Sequence, residues 1–260
     1  MNPLSIVIIV FVFILIIMLF RYIYVNPYLL QGLQNGETHT SIPTSKLAQP
    51  SSGVPSSNFA YSIWMQITDW NYRYGMPKVI FGRMGALSDV SGGDISGING
   101  ADPCPLVVLG AIENDLTIAV GCFPGEDESS TSTNSTSSST LSKTKKTVVH
   151  TCKVSNIPIQ TWVNLTISVY GRTLDVYIDG KLVKTCLLPG IVSVNNNAAV
   201  QVTPNGGFEG YTSNLQYFPN SINPQEAWDI YVKGPGTGMG TYQLQLSVIQ
   251  NGTTQGSVTI

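Results

Sequence analysis

From Phe59 onward apolar and polar residues alternate in short runs with a period of two, and each run ends at Gly, Pro, Asn or Asp. A period of two puts successive side chains on opposite faces of an extended chain, so these runs predict half-buried strands. The clearest case is Trp162 to Tyr170, where Val163, Leu165, Ile167 and Val169 alternate with polar neighbours, followed after Gly171 by Leu174, Val176 and Ile178. Asp179-Gly180 then tolerates positive φ at both central positions of a type I′ turn, which predicts a third strand from Lys181 to Cys186 folding straight back. That turn sets Tyr177 opposite Leu182, Val176 opposite Val183 and Asp175 opposite Lys184. Phe59, Tyr61, Ile63, Met65 and Ile67 share one face of an earlier strand, with Trp64 on the other. Further strands are predicted at 78–83, 105–111, 116–122, 147–154, 198–203 and 210–218. This is the cadence of an all-β sandwich of two antiparallel sheets. A single short helix is predicted near 224–231, with Asn223 as its cap, Pro224 at its first position and Glu226 completing a capping box.

The N-terminus has no such alternation. From Leu4 to Phe20 only Ser5 is polar, and the apolar and aromatic run resumes beyond Arg21 as far as Val25. A helix taken to Val25 is roughly 33 Å long, enough to cross a hydrocarbon core, so 1–25 is read as a transmembrane anchor. No basic stretch precedes the run and no small-x-small site follows it, which sets aside a cleaved signal peptide. The positive-inside comparison is nearly a tie, and Arg21 tips it toward a main domain on the cytosolic side.

Residues 26–57 carry Pro27, Pro43, Pro50 and Pro55 and are read as a tether. The sandwich then covers 58–233. Within it, 129–142 is nearly all Ser and Thr and cannot bury a core, so it is read as a loop joining two strands. Residues 234–260 are read as a Gly-rich hinge and a C-terminal strand or tail that adds to the sandwich or pairs with a neighbouring molecule. The hinge lacks the Lys-Ser/Thr of a phosphate loop.

Composition narrows the choice of function. Charged residues make up 11% of the 260, the net charge is −2, and the Lys and Arg residues are scattered, which argues against nucleic acid as a partner. Cys104, Cys122, Cys152 and Cys186 lack zinc spacing. Cys104 and Cys122 flank one hairpin and could face each other, leaving Cys152 and Cys186 as a second disulfide, with buried free thiols as the alternative. His39 and His150 lie far apart, so neither a metal nor a cofactor is expected. Of three matches to the glycosylation pattern, Asn164 falls within a strand and is read as accidental, while Asn134 and Asn251 matter only in a lumenal domain.

Trp162 with its strand, the hairpin from Leu174 to Val183, and Gly206 to Phe218 resemble the laminin G-like, concanavalin A-like lectin/glucanase superfamily. The resemblance implies a jelly-roll sandwich. Cys152 to Trp162, Lys184 to Gly190 and Asn195 to Ala198 look like versions of this domain encoded by large DNA viruses of algae and protists, where a membrane segment similarly precedes it. Hydrolases of the superfamily need carboxylates flanking the scissile bond. Glu113-Asn-Asp115 lacks the third acid of their motif and is read as a turn, so no enzyme is expected. The resemblance implies a non-enzymatic, membrane-anchored structural protein, a minor capsid or virion-membrane component between internal membrane and capsid shell. Its partners would be the lipid bilayer and other capsid or virion proteins. The alternative is a glycan- or receptor-binding adhesion module, with Trp70, Tyr72 and Tyr74 as the contact platform.

Overall fold

The computed structural model describes residues 10–18, 26–50, 53, 56–84, 103–123, 147–236, 245–250 and 253–259. Two antiparallel sheets contain most of the strands. The first sheet holds β1 (Leu29–Gln31), β2 (Gln34–Asn35), β4 (Phe59–Asp69), β9 (Trp162–Tyr170), β10 (Thr173–Ile178), β11 (Lys181–Leu187) and β13 (Glu209–Phe218). Its order is β1-β13-β4-β9-β10-β11, with β2 also on β13. The second holds β3 (Thr40–Ile42), β5 (Lys78–Arg83), β6 (Leu106–Leu109), β7 (Asp115–Cys122), β8 (Val148–Ser155) and β12 (Val200–Val202), in the order β3-β12-β5-β6-β7-β8. This arrangement is consistent with a jelly roll.

The core lies between the sheets. Phe59, Tyr61, Ile63, Met65 and Ile67 meet Phe81, Val107, Leu109, Ile118 and Val120 across it. The outer face of the first sheet is covered by α2 (Pro224–Val232), where Trp64 stacks on Tyr231 at 5.6 Å. The capping box is present: Asn223 accepts from the Glu226 amide and Glu226 accepts from the Asn223 amide. Beneath this helix a polar ladder is fully internal. Asn164 Nδ2 and Thr166 Oγ1 both donate to Ser62 Oγ, at 3.0 and 2.9 Å. Asn164 is therefore inaccessible to a glycosyltransferase, as the strand reading expects. Asn134 and Asn251 lie outside the described residues, as does the Ser/Thr-rich 129–142 segment.

The β10–β11 turn forms with Asp179 at φ 49° and Gly180 at φ 72°, and Tyr177 faces Leu182 as expected. Beyond that pair the expected register is corrected by a bulge that leaves Val183 unpaired. Val176 faces Lys184 and Asp175 faces Thr185, whose hydroxyl donates to Asp175 Oδ1 at 2.6 Å. A bulge turns the following residues over to the other face. Cys186 consequently faces Leu174, a core position, instead of Thr173, and points toward the second sheet.

Residues 26–50, expected as tether, are instead woven into both sheets. β1 and β2 pair with β13, β3 pairs with β12, and Leu30, Ile42 and Leu47 enter the core. Burying an aliphatic side chain stabilises by about 1.5–3 kcal/mol, so these three, with the strand pairings, contribute to holding the segment on the sandwich. The expected C-terminal strand also differs in its partner: β14 (Gln245–Gln250) pairs antiparallel with β15 (Thr253–Thr259). At the other end, 10–18 is a helix (α1) exposed along its length. Among the described residues no helix is long and apolar enough to cross a membrane, and the rest of the expected anchor, 1–9 and 19–25, lies outside them.

Candidate functional site

The three aromatics expected to form a platform sit on the β4–β5 loop, at one rim of the sandwich, but the structure gives each a different task. The Trp70 indole N–H donates to Ile112 O at 3.2 Å, tying this loop to the β6–β7 turn. The Tyr72 hydroxyl donates to Gly206 O at 3.1 Å, tying it to the approach to β13. Arg73 adds a bond to Asn205 O, and the Gly75 amide donates to Ala111 O. Tyr74 alone stands exposed, at 58%. A sugar stacks on open, parallel ring faces. Trp70 and Tyr72 are half-buried and bound to neighbouring loops, so the structure does not bring the three together as a flat platform.

Under Trp70 lies a residue the sequence reading passed over. Lys78 is 1% exposed, its Nζ has no hydrogen-bond partner, and the ammonium lies 4.6 Å from the indole centroid. Burial lowers its pKa, Arg73 adds to the fall, and Asp69 opposes it. The available signal was a strand, Lys78-Val-Ile-Phe-Gly-Arg83, with apolar residues inside and a cation at each end. Arg83, at the far end of β5, is likewise buried, and its Nε donates to Ala198 O at 3.2 Å.

A cleft of about 280 Å³ beside the same rim is lined by Leu109, Ile112, Glu113, Asp115, Thr117 and Lys153. Lys153 Nζ lies 3.9 Å from Asp115 Oδ2. Glu113 sits on the β6–β7 turn, as the spacing predicts. Among the described residues no group of three His, Cys, Asp or Glu is placed to hold a metal.

Cys152 and Cys186 are bonded, with Cα atoms 6.1 Å apart. Cys104 and Cys122 are free and buried, so only the second of the two disulfides considered is formed. Burial pushes the Cys104 thiol up to about 12, against Arg83 and with Cys122, and the Cys122 thiol to about 11. Both stay protonated and unreactive at neutral pH.

No protein-family model matches this chain, and no curated protein matches it in sequence. Solved structures do. The receptor-binding domain of botulinum neurotoxin D is 10% identical, with a TM-score of 0.49 over 77% of this chain and 43% of that chain. The binding domain of botulinum neurotoxin DC in complex with rat synaptotagmin II is 12% identical, with a TM-score of 0.48 over 78% and 42%. The receptor-binding domain of botulinum neurotoxin type G is 13% identical, with a TM-score of 0.42 over 78% and 46%. The chain thus spans less than half of each of these chains. Nothing about what it binds follows from likeness at this level.

Proposed function

We propose that the chain is a non-enzymatic structural protein, anchored in a bilayer by residues 1–25, whose concanavalin A-like, laminin G-like jelly roll contacts a protein lattice. The fitting role is a minor capsid or virion-membrane component of a large DNA virus, linking internal membrane to shell. The viral part rests on the resemblance of Cys152 to Trp162 and Lys184 to Gly190 described above.

The observation that carries the structural reading is the short connection. The apolar run ends at Val25, and the chain enters the first sheet at Leu29. The intervening three residues reach about 10 Å when extended. A domain joined that closely lies against the membrane and offers its other surfaces to a layer above. A displayed adhesin is served by a long stalk, and here the segment that would be the stalk is folded into the sandwich. The committed hydrogen bonds of Trp70 and Tyr72 point the same way.

Protease protection on purified particles, read by mass spectrometry before and after removal of the shell, tests this. Cleavage of 26–260 only after stripping, with the apolar segment retained in lipid, is the expected result. Cleavage on intact particles would overturn it and favour an exposed, glycan- or receptor-binding module.

A further inference from the structure

We propose that the cleft around Arg83 is an oxyanion site that takes a phosphate group. The cleft has a volume of about 300 Å³, and Thr44, Ser45, Gln49 and Asn196 line it along with Arg83. None of its lining side chains is acidic. Arg83 is only 5% exposed, and its guanidinium has donors and no acceptor. Among the described residues the ion pair is Lys153–Asp115, and Arg83 has no carboxylate partner. Burying a cation without an anion is unfavourable, and such charges are normally paired. The neighbouring groups do not supply that anion: the Tyr61 and Tyr217 hydroxyls lie beside the guanidinium, and burial raises the pKa of both although Arg83 opposes the rise, so neither becomes a phenolate.

The remaining lining groups are hydroxyls and amides. Thr44, Ser45 and Gln49 belong to the strap after β3, and Asn196 to the segment before β12. Hydroxyl and amide groups from two segments, gathered with a guanidinium in one cleft, suit the several oxygens of a tetrahedral oxyanion. The other cleft shows the contrast, since its cation already has a carboxylate beside it.

The position of the cleft indicates a source for the phosphate. Tyr217 and Pro219 line it, and the Tyr217 amide donates to Tyr28 O at 2.9 Å. The cleft therefore opens at the end of the sandwich where the chain arrives from its apolar N-terminal segment. A phospholipid headgroup is the source if the membrane reading above holds, on which this part rests; free phosphate is the source if it does not.

Thermal unfolding of the full chain in detergent, in inorganic phosphate against chloride of equal ionic strength, tests the site without a membrane. At about ten times Kd the folded-to-unfolded ratio should rise about tenfold. Arg83→Gln should abolish the response. Asn196→Asp, an isosteric change at an exposed position, keeps the fold and puts a carboxylate in the cleft, so it should abolish the response too. The second arm uses phosphatidylcholine vesicles with and without phosphatidic acid. Stabilisation by phosphatidic acid in the wild type and not in Asn196→Asp assigns a lipid source, and a phosphate response alone assigns a free one. No phosphate response in the wild type, or an equal one in Asn196→Asp, overturns the site. Flotation with the vesicles reports on the membrane reading separately.

Discussion

Replacing Cys152 and Cys186 together by Ser should cost about 4 kcal/mol of folding stability. The bond closes a loop of sequence separation 34, and the entropy withheld from the unfolded chain by a loop of that size corresponds to roughly 3.8 kcal/mol at room temperature. Its position supports a value near that figure. β8 is the last strand of one sheet and β11 the last of the other, so the bond fastens the sandwich along its open edge. With a urea m-value of about 2.5 kcal/mol per molar, the midpoint should fall by about 1.5 M. Reduction of the wild type should reproduce that fall. Thiol titration after denaturation without reductant should count the two free cysteines, Cys104 and Cys122. Four titrating thiols, or a midpoint shift below about 0.4 M, would falsify the reasoning.

Three further outcomes are expected. Between its lowered folded pKa and the ordinary value of 10.5, Lys78 binds more protons in the unfolded chain than in the folded one, so folding stability should rise with pH across that window. Denaturation curves of the wild type and Lys78→Met should therefore diverge there, and parallel pH dependences would show that the ammonium is not desolvated. Gly210→Ala places a Cβ 1.9 Å from Gln66 O at a φ of 146°, and a loss of at least about 2 kcal/mol should appear in urea titration. Asn223→Ala removes the capping bond to Glu226, which should lower stability by about 1 kcal/mol and quench differently the fluorescence of Trp64, stacked under α2.

Long alternating runs made most of the two sheets legible. The strand from Phe59, the β9–β10–β11 series and the capped helix all follow from local pattern because each is long enough to show its period. The bulge at Val183 was not legible, since a skipped residue leaves the alternation of Lys181 to Cys186 unremarkable on paper. β1, β2 and β3 have three, two and three residues, too short to carry any period, and the prolines in the segments around them read as a tether. The rim aromatics failed as a platform for a related reason. Trp70 and Tyr72 are committed to Ile112 and Gly206, partners 42 and 134 positions away, and no local rule reveals such pairings. The paired state of Cys152 and Cys186 was within reach, while the separation of the other two thiols required the packed core.

The strap formed by 26–50 also has a mechanical meaning. Tension applied at the N-terminus loads β1 first, then β2 and β3, each held by only a few backbone bonds, whereas most of the strands from β4 onward are longer and the two sheets are locked at their far edge by the disulfide. Peeling the strap would release about 25 residues, or roughly 80 Å of slack, before the main sandwich bore any load. In the role proposed above, a bilayer and a rigid layer joined through this chain could move apart by that distance and reseat, with the strap acting as an extensible coupling.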